Sequence, residues 1–210
     1  EQVAANAGAS VAELNAAKAA LQAKLDALRP DLSALRTAIA NAEKEPAYIT
    51  NDATVKRALA KAKEVEKQPS PTPAAIQKAA SDLNTAGATA TKKEADAQTA
   101  AEQAVVQAEH NQDPDDVTSA NAKVAAVQDP TKKQAFQDRL NQVTANVTAA
   151  RNALSALITK AKDPATTAGM SQETKDAVAA QATQAEQVAA NAGASVAELN
   201  AAKAALQAKL

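Results

Sequence analysis

Apolar side chains recur every three or four residues along most of the chain, in stretches that are separated by Pro, Asp, Asn and Gly. This spacing places them on one face of an amphipathic α-helix. No Gly or Pro falls between Pro130 and Pro164. The pattern therefore predicts one continuous helix over residues 130–163. Its apolar stripe consists of Phe136, Leu140, Val143, Val147, Ala150, Leu154, Ile158 and Ala161.

The composition favours helix over strand throughout the chain. Hydrophobic residues make up 46% of it, yet it has one Tyr, one Phe and no Trp, and Ala supplies most of the apolar count. Ala is the best helix former, whereas strands draw on aromatic and β-branched residues. We therefore expect an all-α fold.

The two ends of the chain carry the same sequence. Residues 1–25 recur letter for letter as residues 186–210, at an offset of 185 positions (from Glu1 to Glu186). Self-similarity at a fixed period is the signature of a repeat architecture. The sequence therefore predicts one period of a tandem array plus an overlap, with a duplication made during cloning as the alternative.

A second, fainter repeat lies inside this period. At an offset of 123 (from Val55 to Val178), the apolar positions of residues 51–83 fall on those of residues 174–206. A more diverged middle copy carries Val117, Val124 and Val127 in place of Val55, Ala62 and Val65. In its last helix, the predicted replacements for Ile76, Ala79 and Leu83 are Leu140, Val143 and Val147.

Each copy has three apolar stripes, which predict three amphipathic helices. We therefore expect tandem three-helix bundles that are joined end to end by long shared helices into an elongated chain. The predicted domains are the last helix of a preceding three-helix module at residues 1–28, a three-helix module at 30–88, a diverged one at 90–148 and another at 149–210. The last of these ends in the repeated segment.

The two junctions between modules are expected to differ in stiffness. The segment around Gly87 is poor in large apolar residues, and Gly weakens a helix interior. Bending is therefore expected there or at Leu28-Arg29-Pro30, and the junction within residues 130–163 is expected to be the stiffer one.

Several residues are expected to cap the predicted helices. Ser10 with Glu13, and Ser195 with Glu198, have the spacing of capping boxes. A Thr or Asp before Pro also suits a helix start, because Pro at the first helical position sacrifices no hydrogen bond. The remaining predicted caps are Thr72, Asp113, Asp129 and Ser171.

The modules share a sequence pattern. An Ala-Glu pair ends the first helix at Ala42-Glu43 and Ala108-Glu109, a cap leads to Val, Ala and Val in the second, and a capped third helix carries Leu or Ile. This pattern resembles the FIVAR repeats of Gram-positive cell-wall-anchored surface adhesins. The resemblance covers nearly the whole chain and implies tandem bundles on a bacterial surface, without any catalytic or ligand residue. One departure is that the family often has an aromatic residue where this chain has Val55, Val117 and Val178.

Charge and composition exclude several classes of partner. The chain has 23 Lys and Arg against 24 Asp and Glu, interleaved along its length, so it lacks the basic footprint of a nucleic-acid or anionic-membrane binder. It has no cysteine. No apolar run approaches the length of a membrane span, and Glu1-Gln2-Val3 does not open a signal peptide. We expect a piece of a longer protein.

Few residues invite a chemical role. His110 is the only histidine, so we expect it to complement the end of a helix rather than to bind a metal. The acidic segment Asn111–Asp116 could supply calcium ligands, but it lacks the glycine and the later Glu of an EF-hand loop, and capping is the preferred interpretation. We expect Phe136 to be a core anchor and Tyr48, in a loop, to cover the end of a bundle. The sequon at Asn146 falls inside a predicted helix.

We predict no enzyme, no cofactor and no catalytic, cofactor-binding or metal-binding residue, because an Ala-lined bundle is too thin to enclose a dry pocket. The predicted function is that of a structural stalk or spacer in an extracellular, cell-wall-anchored adhesin, which projects a distal domain away from the cell wall. Its partners would be neighbouring repeats of the same chain, and we expect a monomer. The alternative is a helical module that binds a host surface or matrix protein. A coiled-coil oligomer is disfavoured by the breaks at Pro30, Pro46 and Pro164.

Overall fold

A computed structural model describes residue 8 and residues 10–27 and 30–210, without the side chains of residues 25–27. The regular structure of these residues is helical and includes no strand, which confirms the predicted all-α fold. The ten helices in this part of the chain are α1 (Val11–Ala27), α2 (Ser33–Lys44), α3 (Ala47–Thr50), α4 (Ala53–Lys67), α5 (Pro73–Asn111), α6 (Pro114–Ala126), α7 (Pro130–Lys162), α8 (Pro164–Thr167), α9 (Gln172–Ala190) and α10 (Val196–Gln207). The predicted bend at Leu28 and Arg29 lies outside the described residues.

The chain divides into two compact units, residues 1–92 and residues 93–210, and the division falls within α5. In the first unit, α2, α4 and the first part of α5 enclose a core of Leu35, Ala38, Ile39, Ala42, Ala62, Ile76, Ala79, Ala80 and Leu83. A second cluster joins α3 to the start of α4 and to α5. Its members are Ile49, Val55, Ala86 and Ala90, with Tyr48 packed against them.

The second unit has two apolar clusters, and α7 contributes to both. In the first of them, α5, α6 and α7 meet around Ala101, Val105, Ala108, Ala120, Val124, Val127, Phe136 and Leu140. In the second, α7, α9 and α10 meet around Val147, Leu154, Leu157, Ile158, Ala161, Val178, Ala182, Ala185, Ala194, Leu199 and Leu206. The helix predicted over residues 130–163 is confirmed, because α7 is unbroken from Pro130 to Lys162.

The predicted register of the middle copy in its last helix is wrong by seven residues. Leu83, Leu140 and Leu206 each lie eleven residues after their cap, which is Thr72, Asp129 or Ser195 respectively. Leu140 therefore takes the place of Leu83, and Val147 packs with the cluster of α9 and α10. An apolar stripe nearly superimposes on itself after two helical turns, so the stripe alone does not define the register, whereas a cap defines where the helix begins.

The corrected register explains how the middle copy diverged. Phe136 takes the position that Ala79 and Ala202 hold in the other copies, and Lys133 takes that of Ile76 and Leu199. The Lys133 ammonium donates to the backbone oxygens of Ala125, at 2.9 Å, and Val127, at 3.1 Å. These carbonyls belong to the end of α6, where a cation complements the helix dipole. A larger aromatic side chain thus accompanies the loss of an apolar one in this core.

The predicted caps are confirmed by hydrogen bonds. Asp113 accepts from the Asp115 amide, Asp129 from those of Thr131 and Lys132, Thr72 from Ala75 and Ser171 from Thr174. Both capping boxes form with the same distances. In each, the Ser amide donates to the Glu carboxylate at 2.8 Å and the Glu amide donates to the Ser hydroxyl at 3.3 Å. Local sequence is therefore sufficient to start these helices.

The helix α10 has the same sequence as the first twelve residues of α1, but the two helices have different environments. Leu199 and Leu206 of α10 are fully buried, whereas their counterparts Leu14 and Leu21 in α1 are 43% and 61% exposed. Among the α1 side chains that the structure describes, none is buried. Burial of this segment is thus decided by the rest of the fold and not by its own residues.

Replacing Gly87 with Ala is expected to raise the free energy of unfolding of the first unit by about 0.5–1 kcal/mol. Gly87 lies inside α5, and a Cβ placed on it meets no heavy atom within 4 Å. Ala should therefore add helix propensity without a clash. Urea denaturation followed by far-UV circular dichroism measures the change.

The matched control for this substitution is Gly169→Ala. Gly169 also has open space at the Cβ position, but it lies in the turn after α8. The control should gain less than Gly87→Ala, because no helix interior is involved. A loss of stability in Gly87→Ala would show that α5 needs the backbone freedom of glycine at this point.

Candidate functional site

The most prominent polar feature of the second unit is the carboxylate of Glu94, which is 6% exposed. One of its oxygens accepts from the Gln128 amide at 2.9 Å. The other accepts from the Asp129 amide and from the Gln98 side chain, both at 2.9 Å. Burial raises the pKa of Glu94, but the hydrogen bonds from Gln98, Asp129 and Gln128 outweigh burial and hold the pKa below its ordinary value. Glu94 therefore ties α5 to the turn between α6 and α7.

In the last copy, residues 149–210, the backbone amide at the equivalent turn has a different acceptor. Ser195 corresponds to Asp129, and its amide donates to Glu198 within its own helix. The residue equivalent to Glu198 in the middle copy is Lys132, which has no acceptor to offer. The acceptor comes instead from Glu94 on another helix. Because loss of a hydrogen bond to a charged acceptor is costly, this replacement preserves the turn.

Arg139 of α7 joins two carboxylates of α5. Its guanidinium donates to both oxygens of Glu109, at 2.8 and 2.7 Å, and to Glu102 at 2.8 Å. The hydrogen bonds from Arg139 lower the pKa of Glu109, although burial opposes them. The bonds from Glu109, and to a lesser degree those from Glu102, raise the pKa of Arg139. A bidentate pair of this kind has a defined geometry, so it aligns α7 against α5.

Gln112 connects the end of α5 with α7 and α10. Its φ of 51° is the only positive value of a non-glycine residue in the described chain. This left-handed conformation ends α5, with the Gln112 amide donating to the Ala108 carbonyl at 2.9 Å. The Gln112 carbonyl accepts from the Val196 amide at 3.1 Å, and its side chain accepts from Asn146 at 2.8 Å. Bonds to two other helices thus compensate the strain of a non-glycine residue in this region.

Arg151 of α7 caps the end of α9. Its guanidinium donates to the carbonyl of Ala189, to that of Asn191 at 2.8 Å and to that of Ala192 at 3.2 Å. The last carbonyls of a helix lack partners within it, and a cation there also complements the helix dipole. We call the side chains of Arg139, Gln112, Asn146 and Arg151 the α7 clamp, because each links α7, or the start of α10, to another helix.

The sequence-based candidates for chemistry are dispersed. His110 lies in the last turn of α5 and is exposed, as expected for a residue at a helix end. Asp113 caps α6, and Asp116 accepts from the Asn111 side chain at 2.7 Å. Within the described residues, no group of three or more His, Cys, Asp or Glu side chains is placed to hold a metal ion.

The remaining candidates have structural positions. Phe136 is buried in the core of α5, α6 and α7, as predicted. Tyr48 lies in the short helix α3 and not in a loop, and it is partly buried against the cluster of Ile49 and Val55. Asn146 lies inside α7, which confirms that its sequon is helical, and its side chain bonds to Gln112.

Surface grooves in the first unit do not gather a catalytic constellation. One of about 600 Å³ lies between α4 and α5 and is lined by alanines and by charged residues of both signs, including Arg57, Glu64 and Lys78. Another, of about 830 Å³, lies beside Pro30, Pro71 and Ile76. Neither brings a nucleophile together with a base in hydrogen-bond geometry, the arrangement that covalent catalysis requires.

Sequence reasoning missed the side-chain contacts that join different helices of the second unit. Glu102 and Glu109 are seven residues apart and share a helix face, so a basic partner could have been sought for them. Glu94 and Gln112 offer no comparable signal, because each is a single polar residue and the groups that it joins to α5 lie more than 30 residues away in the sequence. Their roles emerge only when the helices are packed.

No helix in the described parts of the chain combines the length and the apolar character needed to cross a membrane. No protein-family model, curated protein or solved structure matches the chain.

Proposed function

We propose that this chain is a structural stalk or spacer repeat of a bacterial cell-surface adhesin, built from tandem three-helix bundles that share long helices. The observation that carries the proposal is the exact recurrence of residues 1–25 as residues 186–210. In a tandem array each unit contacts only its neighbours, so the number of repeats sets the length without changing the fold. A change in the number of repeats therefore changes the distance that the array spans.

The helix α7 supports this proposal. It has 33 residues, so it is about 50 Å long. Its first part packs with α5 and α6, and its last part packs with α9 and α10. A helix that belongs to two cores transmits orientation from one to the next, and the α7 clamp adds directional polar contacts. These are properties of a spacer that must hold its length.

The surface and the polar contacts also suit a spacer. The large hydrophobic side chains that are exposed in the described residues are Val11, Leu14, Leu21 and Val106, and the first three belong to α1. Charges of both signs are interleaved, with a formal net charge of −1. Outside α1, the described surface therefore mixes charges of both signs and exposes Val106 as a single large apolar side chain, which is not an apolar patch. The hydrogen-bonded side chains of Glu94 and Arg139 hold helices together, and we assign no enzymatic role, cofactor or metal.

The proposed setting follows from the sequence pattern that resembles FIVAR repeats. We place the chain outside the cell, in a protein anchored to the cell wall, with neighbouring repeats as its partners and a distal domain at the tip. A host or matrix protein bound along one helix face is the competing function.

Small-angle X-ray scattering on chains of one, two and three periods tests the stalk. The maximum dimension should grow by an equal increment with each added period, while the cross-section stays constant. A maximum dimension that stays near that of one period would refute the proposal. A saturable, reproducible partner recovered from host plasma or matrix would favour the competing function.

A further inference from the structure

The packing of α10 in the second unit shows which surface the apolar face of α1 can contact. Leu199 and Leu206 of α10 are fully buried in one cluster with residues of α7 and α9. The α7 and α9 members of this cluster include Leu154, Ile158, Ala161, Val178, Ala182 and Ala185. We call this surface the α7–α9 groove.

The same face exists in α1 without this cover. Leu14 and Leu21 occupy the positions of Leu199 and Leu206, and Val11 occupies that of Val196. Val11 is 74% exposed, whereas Val196 is partly buried against the cluster. Exposure of three large apolar side chains on one helix face is characteristic of an interaction surface.

We propose that α1 is a docking helix for the α7–α9 groove of a second copy of this chain. Every residue from Glu1 to Leu25 is identical to its counterpart from Glu186 to Leu210. An α1 placed in the groove would therefore make the same apolar packing as α10. The capping box of Ser10 and Glu13, with the distances of its twin, already provides the correct helix start.

In the intact chain the groove is occupied by its own α10. Replacing α10 with the α1 of another molecule exchanges one helix for an identical one and buries no additional area, while association reduces translational and rotational freedom. The tethered α10 also has the advantage of a high effective concentration. We therefore expect the unaltered chain to be a monomer, with docking of α1 following only when α10 leaves the groove.

Removal of α10 from the groove changes this balance. A molecule then carries one open groove and one exposed α1, and docking buries Leu14 and Leu21 without displacing another helix. The two surfaces are different parts of the chain, so the interface is heterologous and links molecules head to tail. The inference goes beyond the stalk and does not depend on it, because it rests on the repeat identity and the groove alone.

The test keeps the full chain and uses matched substitutions in the two identical helices. Leu199→Asp with Leu206→Asp removes α10 from the groove and leaves α1 intact. Sedimentation equilibrium should show a mass that rises with concentration to that of two or more chains. The matched control, Leu14→Asp with Leu21→Asp, should remain a monomer, and so should the chain that carries all four substitutions.

Hydrogen–deuterium exchange supplies a second readout. In the α10 variant, residues 11–24 should become protected as the mass rises, since they enter a groove. A variant that stays monomeric with residues 11–24 unprotected would overturn the proposal. Protection of α1 in a monomer would also overturn it, by showing that α1 occupies the groove of its own chain.

A peptide control shows whether the α7–α9 groove of the α10 variant can still bind a helix. A fluorescent peptide with the sequence of residues 186–210, which is also that of residues 1–25, is titrated into the α10 variant and followed by anisotropy. Saturable binding is expected, and an excess of unlabelled peptide should dissociate the oligomers. If the peptide binds while the variant stays monomeric, or if neither the peptide nor α1 binds, the proposal is wrong.

Discussion

Leu206→Ala should lower the free energy of unfolding of the second unit by about 2–5 kcal/mol, the range measured when a buried leucine is truncated. Leu206 is fully buried against α7 and α9, so truncation removes buried methyl groups and leaves a cavity. Urea denaturation followed by circular dichroism measures the loss. Hydrogen exchange of residues 172–190 locates it, because α9 should lose protection together with α10.

The chain contains an unusually close control for this substitution. Leu21 has the same neighbours in sequence as Leu206, but it is 61% exposed. Leu21→Ala should change stability by less than about 0.5 kcal/mol, as is usual for surface positions. Equal losses for the two variants would mean that α1 is buried as α10 is, and would contradict the environments described above.

Glu94→Ala should destabilise the second unit by about 1.5–3 kcal/mol, because it removes the buried carboxylate that accepts from the amides of Gln128 and Asp129. Glu94→Gln should have a smaller effect, since its carbonyl oxygen can still accept while its amide group cannot. The measurement is urea denaturation near neutral pH. Asp138→Ala, on the exposed face of α7, is the surface control and should lie close to the unaltered chain.

The contribution of Glu94 should also depend on pH. Its pKa is lower in the folded chain than in the unfolded one, so the folded state favours the charged form. The stabilisation is complete above the unfolded-state pKa of about 4.3 and is lost as the pH falls through the lower folded-state pKa. The difference in stability between the unaltered chain and Glu94→Gln should therefore shrink in acid. A difference that is constant over this range would show that the charge of Glu94 has no role.

Much of the helical framework could be predicted from local sequence. The caps at Asp113 and Asp129 follow from an Asp before Pro, and the cap at Ser195 follows from a Glu three residues later, because these hydrogen bonds lie within four residues of the cap. The unbroken α7 followed from an apolar stripe without Gly or Pro. Both features depend on interactions between near neighbours, which the sequence displays directly.

The register of the middle copy and the polar contacts could not be predicted in this way. A stripe of apolar residues looks nearly the same after a shift of seven, so the pattern pairs Leu140 with Ile76 although Leu140 occupies the position of Leu83. The acceptor for the turn at Asp129 comes from Glu94, which lies 35 residues earlier. The residues near Asp129 in the sequence do not indicate that Glu94 is the partner.

The repeated segment shows most clearly which features depend on local sequence and which depend on tertiary structure. Its sequence alone determines that a helix begins after Ser10 and after Ser195, because the capping box forms within the segment in both places. Only the tertiary structure decides that Leu206 is buried and Leu21 is exposed. The physical reason is that capping satisfies backbone groups of the same turn, whereas burial requires an apolar surface from other helices, and α7 and α9 present that surface to α10.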